Sequence, residues 1–297
     1  MIIVKLEGGH SNQLFQYAVG RRLADKLGVE LLMDKHWFST IALGDTHRFY
    51  ELGEYNLPQK FIEHSKFALV EDKPEDLRVK LYNLTKGRSK PRIKHYLEHG
   101  HLFDKKVLRL GDNTYLEGFW QNENYFKDIR PILLKEFELK DPPVSKEAEL
   151  LKQIKKAASV SVHVRRGDYV TNKDANRVHG LLPLNYYQSA LKYLSKKTGV
   201  KNFRLFVFSN DIEWCKTHFK LGMPTTYIGG VDDTRGPKDM RLMKHCKHNV
   251  TANSSFSWWG AWLNENPNKL VITPKAWLAD KKLDAGMEIV PPDWIRL

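Results

Sequence analysis

Cysteine is almost absent. Cys215 and Cys246 are the only two in 297 residues, both in segments that read as helix. A disulfide framework is thereby excluded, and the expected setting is a reducing compartment. No apolar run approaches the ~20 residues needed to cross a bilayer. Met1 leads directly into Ile2-Ile3-Val4-Lys5-Leu6, a short strand and too brief for a secretory h-region. The expectation is a cytoplasmic, soluble protein, with a basic surface available for peripheral membrane contact. There is no internal repeat and no low-complexity tract. Acidic residues are the minority: 35 Asp and Glu stand against 48 Lys and Arg, a formal net charge of +13. That excess attracts anions, whether nucleic acid, phospholipid head groups or phosphorylated small substrates, and charge alone does not choose among them. Hydrophobic residues make up 41% of the chain, which supports a packed core and argues against wholesale disorder.

The patterning is that of an α/β protein. A strand over Ile2–Leu6 is followed by the glycine turn Gly8-Gly9-His10-Ser11-Asn12-Gln13. A helix then carries Leu14, Phe15, Tyr17, Ala18, Leu23, Ala24 and Leu27, ends at Gly28, and gives way to a strand over Val29–Met33. This is a βαβ unit. Residues 70–106 are charged and irregular, and read as exposed helices and loops. Asp141-Pro142-Pro143-Val144-Ser145 is the best boundary, because two prolines block helix and sheet alike. It divides the chain into residues 1–143 and 144–297. Beyond it, strands at Val160–Val164, Arg204–Phe208, Thr225–Ile228, Asn249–Ala252 and Leu270–Thr273 alternate with helices at Tyr186–Lys196, from Ile212, at Pro237–His248 and at Ser257–Leu263. Alternation of this kind predicts a parallel sheet covered on both faces. Two such Rossmann-like halves leave a cleft between them, and open α/β sheets bind ligands at the carboxyl ends of their strands.

The chemistry-bearing stretches fall at those ends. In Ser161-Val162-His163-Val164-Arg165, alternation puts Val160, Val162 and Val164 on a core face and Ser161, His163 and Arg165 on the other. Arg165 offers a planar fork of donors suited to phosphate oxygens. The plainer alternative is a salt bridge to Asp168, a reading that applies more strongly to Arg166. His163 reads either as a satisfied core histidine or as Arg165's partner in a site. Asn253-Ser254-Ser255-Phe256 leads from a strand into an apolar helix. Its serines cap that helix, and the exposed amides and dipole end suit a phosphate. Trp258 and Trp259 read as core. The Gly8–Gln13 turn lacks both the dinucleotide and the P-loop spacing, yet places Asn12 at a strand end. Asp211 or Asn210 caps a helix. Asp239 is either a helix-dipole partner or a carboxylate that accepts ligand N–H groups. His245, Cys246 and His248 cluster without a recognised metal-ligand spacing.

These motifs resemble those of the bacterial alpha-1,2-fucosyltransferase family. The resemblance rests on H-V-R-R-G-D-Y (163–169), G-G-H-S-N-Q-L-F-Q-Y-A (8–18), E-G-F-W-Q-N-E-N-Y-F (117–126), F-S-N-D (208–211) and A-N-S-S-F-S-W-W-G-A-W-L (252–263), in order along nearly the whole chain. Two departures stand out: Ser11 where the family start usually has glycine, and Asn210-Asp211 where an aspartate pair is common. The resemblance implies a GT-B fold. It also implies inverting, metal-independent transfer of L-fucose from GDP-fucose to the 2-hydroxyl of a terminal galactose on an oligosaccharide. The N-terminal domain would serve the acceptor and the C-terminal domain GDP-fucose. No D-x-D triplet occurs in the chain, so positive side chains and helix ends are expected to replace a divalent ion. By the same resemblance Arg165 contacts the diphosphate, His163 lies near guanine, Asp239 reads guanine N–H groups, and Asn12 lies near the reacting sugar. Asn253, Ser254, Ser255 and Phe256 form the amide seat. Asp168 is the named proton acceptor, with Glu117 behind it. The alternatives are another GDP-sugar or linkage on the same site and, in a different class, a basic nucleic-acid-binding protein. The scattered lysines and the lack of RRM, zinc-finger or helix-turn-helix signatures speak against the latter.

Overall fold

A computed structural model describes residues 1–39, 48–62, 68–70, 92–229 and 235–297, without the side chains of residues 68–70, Arg92 and Asp168. The chain forms two compact units, Met1–Phe137 and Glu138–Leu297. Each is an α/β layer structure built on one parallel sheet.

In the first unit, strand β1 (Ile2–Lys5) passes through helix α1 (His10–Leu27) to β2 (Leu31–Asp34). Strands β3 (Ala68–Val70), β4 (Arg92–Leu97) and β5 (Thr114–Glu117) and helix α2 (Arg130–Glu136) follow. The sheet order is β2-β1-β5-β4-β3, with every pair parallel. Helix α1 stops at Gly28, whose φ of +64° is a left-handed cap that glycine adopts without strain. It lies directly on the sheet: a Cβ on Gly20 would stand 2.8 Å from Leu31 Cδ1 and 3.2 Å from Val4 Cβ. The expected irregular stretch 70–106 is corrected here, although residues 71–91 lie outside the described residues. Arg92–Leu97 is an internal strand between β3 and β5, and Ile93 is fully buried. Its alternation is hidden because Lys94 and His95 interrupt the apolar residues, and pairing with β5 decides the conformation. The strand expected over Val29–Met33 runs over Leu31–Asp34.

The second unit opens with α3 (Ser145–Lys156) and β6 (Ser159–Val164), then α4 (Gly167–Thr171), α5 (Lys173–His179) and α6 (Leu184–Thr198). It continues with β7 (Arg204–Ser209), α7 (Ile212–His218), β8 (Thr225–Gly229), α8 (Gly236–Lys244) and β9 (His248–Val250). Helix α9 (Ser255–Trp262), β10 (Val271–Thr273), α10 (Lys281–Asp284) and β11 (Ile295–Arg296) complete it. All six strands are parallel, in the order β11-β10-β9-β6-β7-β8. One face packs Val160, Val162, Val164, Leu205 and Val207 beneath Tyr187, Leu191 and Leu194 of α6. The other packs Phe206 and Phe208 against Leu151 and Ile154 of α3 and Leu242 and Met243 of α8. Burial on both faces is why β7 reads as the continuous apolar run Leu205–Phe208. Trp258 and Trp259 are fully buried, and Trp258 Nε1 donates to the Ile289 carbonyl at 2.7 Å. Helix α8 ends at Lys244, four residues short of the expected His248, because His248–Val250 pairs with β6 and β10. Cys246 therefore sits in a turn, with its thiol on the Leu242 carbonyl. Among the described residues, no helix is long and apolar enough to cross a membrane.

Each strand order contains a switch point. From β1 the chain goes through α1 to β2 on one side, while β5 lies on the other; from β6 it goes to β7 on one side, while β9 lies on the other. Connections diverge there and leave a crevice at the carboxyl ends of the strands.

Candidate active site

The β6–β9 switch point gathers most of the sequence-expected residues. His163 and Arg165 stand at the end of β6, and the loop Thr251–Ser254 leads from β9 into α9. Ser254 is the N-cap of α9, and its hydroxyl accepts from the Phe256 amide at 3.4 Å. That bond is at the long limit, so a phosphate oxygen competes well for the amide. The His163 ring lies 5.5 Å from that of Phe256, which ties the end of β6 to the start of α9. His163 is buried, and its Nδ1 has no hydrogen-bond partner among the described residues. Desolvation, with the Arg165 charge second, pushes its pKa down to about 3, so the ring is neutral at pH 7. The Arg165 guanidinium lies over the Tyr169 ring, 5.2 Å from its centroid. Tyr169 is itself fixed: its ring stacks on His179 at 4.6 Å, and its hydroxyl donates to the Asn253 carbonyl at 3.3 Å.

Arg166 behaves differently from its neighbour. Its Nε pairs with Asp211 Oδ2 at 3.0 Å, and its guanidinium lies 3.7 Å from the Trp214 ring centroid. A structural ion pair of the kind read for Arg166 is therefore present with Asp211; the side chain of Asp168, the partner expected from the sequence, lies outside the described residues. The Arg166 amide donates to Asn210 Oδ1 at 3.0 Å, and Asp211 caps α7 by accepting from the Trp214 amide. Gly167 lies so close that a Cβ there would meet Asn210 Nδ2 at 2.0 Å. The F-S-N-D tip of β7 thus clamps the R-R-G-D turn of β6.

Other expected residues are placed less directly. The Asn253 side-chain amide donates to the His179 carbonyl at 2.7 Å, which braces the loop from within. Asp239 lies in the first turn of α8, paired with Arg235 at 3.1 Å. Helix α8 reaches the site through α9, since a Cβ on Gly260 would meet Met243 at 2.8 Å. The side chain of Asp168 lies outside the described residues; its backbone belongs to α4.

Asn12 belongs to the first unit, at the β1–β5 switch point. Its Oδ1 accepts from Gln121 Nε2 at 2.9 Å. Gln16 links the two loops there, accepting from the Glu7 amide at 3.0 Å and donating to the Gly118 carbonyl at 3.1 Å. Beside them runs an alternating charge chain. Lys5 Nζ sits 2.8 Å from both Glu7 and Glu117, and Glu117 also meets His95 Nε2 at 2.8 Å. The hydrogen bond from His95, with Lys5 second among the favourable partners, holds the Glu117 carboxyl down at about 2. A carboxyl held this low in the free chain is a weak base. Glu98 shapes the same loop by accepting from the Phe119 amide at 2.6 Å and the Trp120 amide at 3.1 Å, and burial raises its pKa. Sequence reasoning missed the His95–Glu117–Lys5 chain, Glu98 and the Tyr169–His179 stack. None has a local motif: the charge chain and the Glu98 contacts join strands and loops about twenty or more residues apart, and the Tyr169–His179 stack depends on how α4 packs on α5. Among the described residues, no group of three His, Cys, Asp or Glu is placed to hold a metal ion.

Comparison with known proteins adds three findings. The sequence model of glycosyl transferase family 11 matches residues 90–297. Over full length, the chain is 32% identical to an alpha-1,2-colitosyltransferase of Escherichia coli, covering 100% of this chain and 99% of the relative. It is 30% identical to the O-antigen biosynthesis glycosyltransferase WbnK of Escherichia coli, covering 98% and 99%. Among solved structures, NodZ alpha-1,6-fucosyltransferase soaked with GDP-fucose superposes with a TM-score of 0.50 at 13% identity, covering 88% of this chain and 91% of that one. At that identity the likeness speaks for the fold alone, a GT-B-like pair of α/β units.

Proposed function

This chain belongs to glycosyl transferase family 11, and from that premise we propose that it transfers L-fucose from GDP-fucose to the 2-hydroxyl of a terminal galactose on an oligosaccharide, with inversion and without a metal ion. The observation that carries the reading is Arg165 at the end of β6, tied through Tyr169 to the loop that opens α9. Cleavage of the anomeric C–O bond sends its electron pair to the diphosphate, and the acceptor oxygen attacks the opposite face. Arg165 and the first-turn amides of α9 meet the growing negative charge in the role a divalent cation fills elsewhere. Neutral His163 and, across α8, Asp239 serve the guanine. The first unit takes the acceptor, with Asn12 near the reacting sugar. Asp168 is kept as the proton acceptor on its position in the motif. The colitosyltransferase relative, similar over the whole chain, favours one second reading, in which GDP-colitose is the donor and the linkage is unchanged.

The test is a product assay offering GDP-fucose or GDP-colitose to a panel of galactose-terminated oligosaccharides, with and without EDTA. Fucosylation at the 2-hydroxyl that chelator leaves intact is expected. Transfer of colitose alone would replace the donor, and loss of product with EDTA would remove the metal-independent mechanism.

A further inference from the structure

Because all six strands of the second sheet are parallel, their amino ends share one edge, opposite the edge that carries Arg165. The segments that feed that edge are rich in lysine. Lys155 and Lys156 end α3 before β6; Lys196 and Lys197 end α6, and Lys201 follows, before β7; Lys220 precedes β8; Lys247 precedes β9. All seven are exposed. Backbone hydrogen bonds hold these turns side by side: Arg204 N donates to the Ala158 carbonyl, Lys247 N to the Ser159 carbonyl and Leu205 N to the Pro224 carbonyl. Among the described residues none of the seven has a carboxylate within ion-pair distance. Lys197 and Lys220 lie 5.7 Å from the Tyr193 and Tyr227 ring centroids. The row spans four neighbouring strands, β9-β6-β7-β8, three spacings or about 15 Å at normal strand separation. The acidic groups near it are few: Glu265 before β10, Glu149 a turn or two up α3, and Glu138, which is paired with Lys244. Two histidines register the local field. Desolvation first, then Lys244 and Lys155, lower His245 to about 4, and desolvation with Lys247 lowers His248.

We propose that this lysine edge of the second unit docks the protein on an anionic lipid surface. A lipid surface fits better than nucleic acid. The row is made of single ammonium groups on separate turns, to which mobile headgroups can rearrange, and not of planar forks at fixed spacing. Its one arginine, Arg204, is engaged with Gln153 and Thr226 at 2.9 and 3.4 Å. The two tyrosines beside it carry lysine ammonium groups against their rings and do not offer free stacking platforms. Docking by this edge leaves the strand carboxyl ends of the unit on its opposite side. The inference is independent of donor and acceptor identity.

The test is co-sedimentation of the full chain with vesicles of phosphatidylcholine alone or mixed with phosphatidylglycerol. Binding to the anionic vesicles only, released by ~0.5 M salt, is expected. The triple variant Lys196→Gln/Lys197→Gln/Lys201→Gln loses binding by about a hundred-fold, at roughly five-fold per lysine. Lys275→Gln/Lys281→Gln/Lys282→Gln removes the same charge from exposed residues beyond the carboxyl end of β10 and keeps vesicle binding. Circular dichroism and melting temperature establish that both variants are folded. Equal losses in the two variants, no binding to either vesicle, or tighter binding to duplex DNA than to vesicles would each overturn the proposal.

Discussion

At the carboxyl edge of the first sheet, Lys5 is held between two carboxylates, each 2.8 Å away. At the same edge of the second sheet, Arg165 lies against the face of Tyr169. Both positions are strand ends beside a switch point, and both carry a cation. In the first, charge is matched along the chain Glu7–Lys5–Glu117–His95, and the product is a braced pair of loops. A neutral polyhydroxyl ligand suits such a surface, because hydrogen-bonding groups of both signs are already in place. In the second, Arg166 pairs with Asp211, and the Arg165 guanidinium lies over the Tyr169 ring. Two adjacent arginines thus meet different neighbours, Arg166 a carboxylate and an indole, Arg165 a phenol ring.

The comparison can be broken most decisively at Arg165. Arg165→Ala is expected to lower kcat by about 10²–10³, as for other single contacts to a developing anion, with the melting temperature nearly unchanged. Arg165→Lys should recover only part of that, since a point charge lacks the fork. Lys5→Ala, measured in parallel, should leave GDP affinity intact; if calorimetry shows equal loss for both, the division between the two edges is wrong. A smaller effect is expected from Asn210→Ala, which removes the acceptor of the Arg166 amide. Misplacing Arg165 by a fraction of an ångström should cost about ten- to a hundred-fold in rate, mainly in kcat. If Asn210→Ala turned over at the wild-type rate, the clamp would be irrelevant to the turn it touches. The smallest effect is on acid stability. Glu117 moves from an ordinary 4.5 to about 2 in the folded chain. Its contribution is therefore fully present above pH 4.5 and disappears as pH falls through 2. Glu117→Gln should flatten the melting temperature across that window. Buried His10 and His163 act higher: both fall from 6.5 to about 3, so the unfolded chain takes up protons first and stability declines as pH drops below 6.5. A Glu117→Gln profile identical to wild type between pH 4.5 and 2 would show that the charge chain does not stabilise the first unit.

Much of the second unit was legible in its amino acids. The apolar run Leu205–Phe208 announces a strand buried on both faces, and Ser254 ahead of an apolar helix announces a cap. Alternation along β6 put His163 and Arg165 together before any contact was known. Less of the first unit could be read. Strand β4, Arg-Ile-Lys-His-Tyr-Leu, has no run of apolar residues, and its burial comes from neighbours far along the chain.

What the residues decide unaided is local: period, caps, turns, and the sign of charge at a strand end, because these depend on side chains within a few positions of one another. Tertiary structure alone decided that Arg166 pairs with Asp211, that Asn253 braces a loop, that Glu117 is sealed between Lys5 and His95, and that lysines from separate turns form one edge. Each of those depends on which strands lie side by side, and strand order is set by packing over the whole unit, which no short stretch of chain encodes.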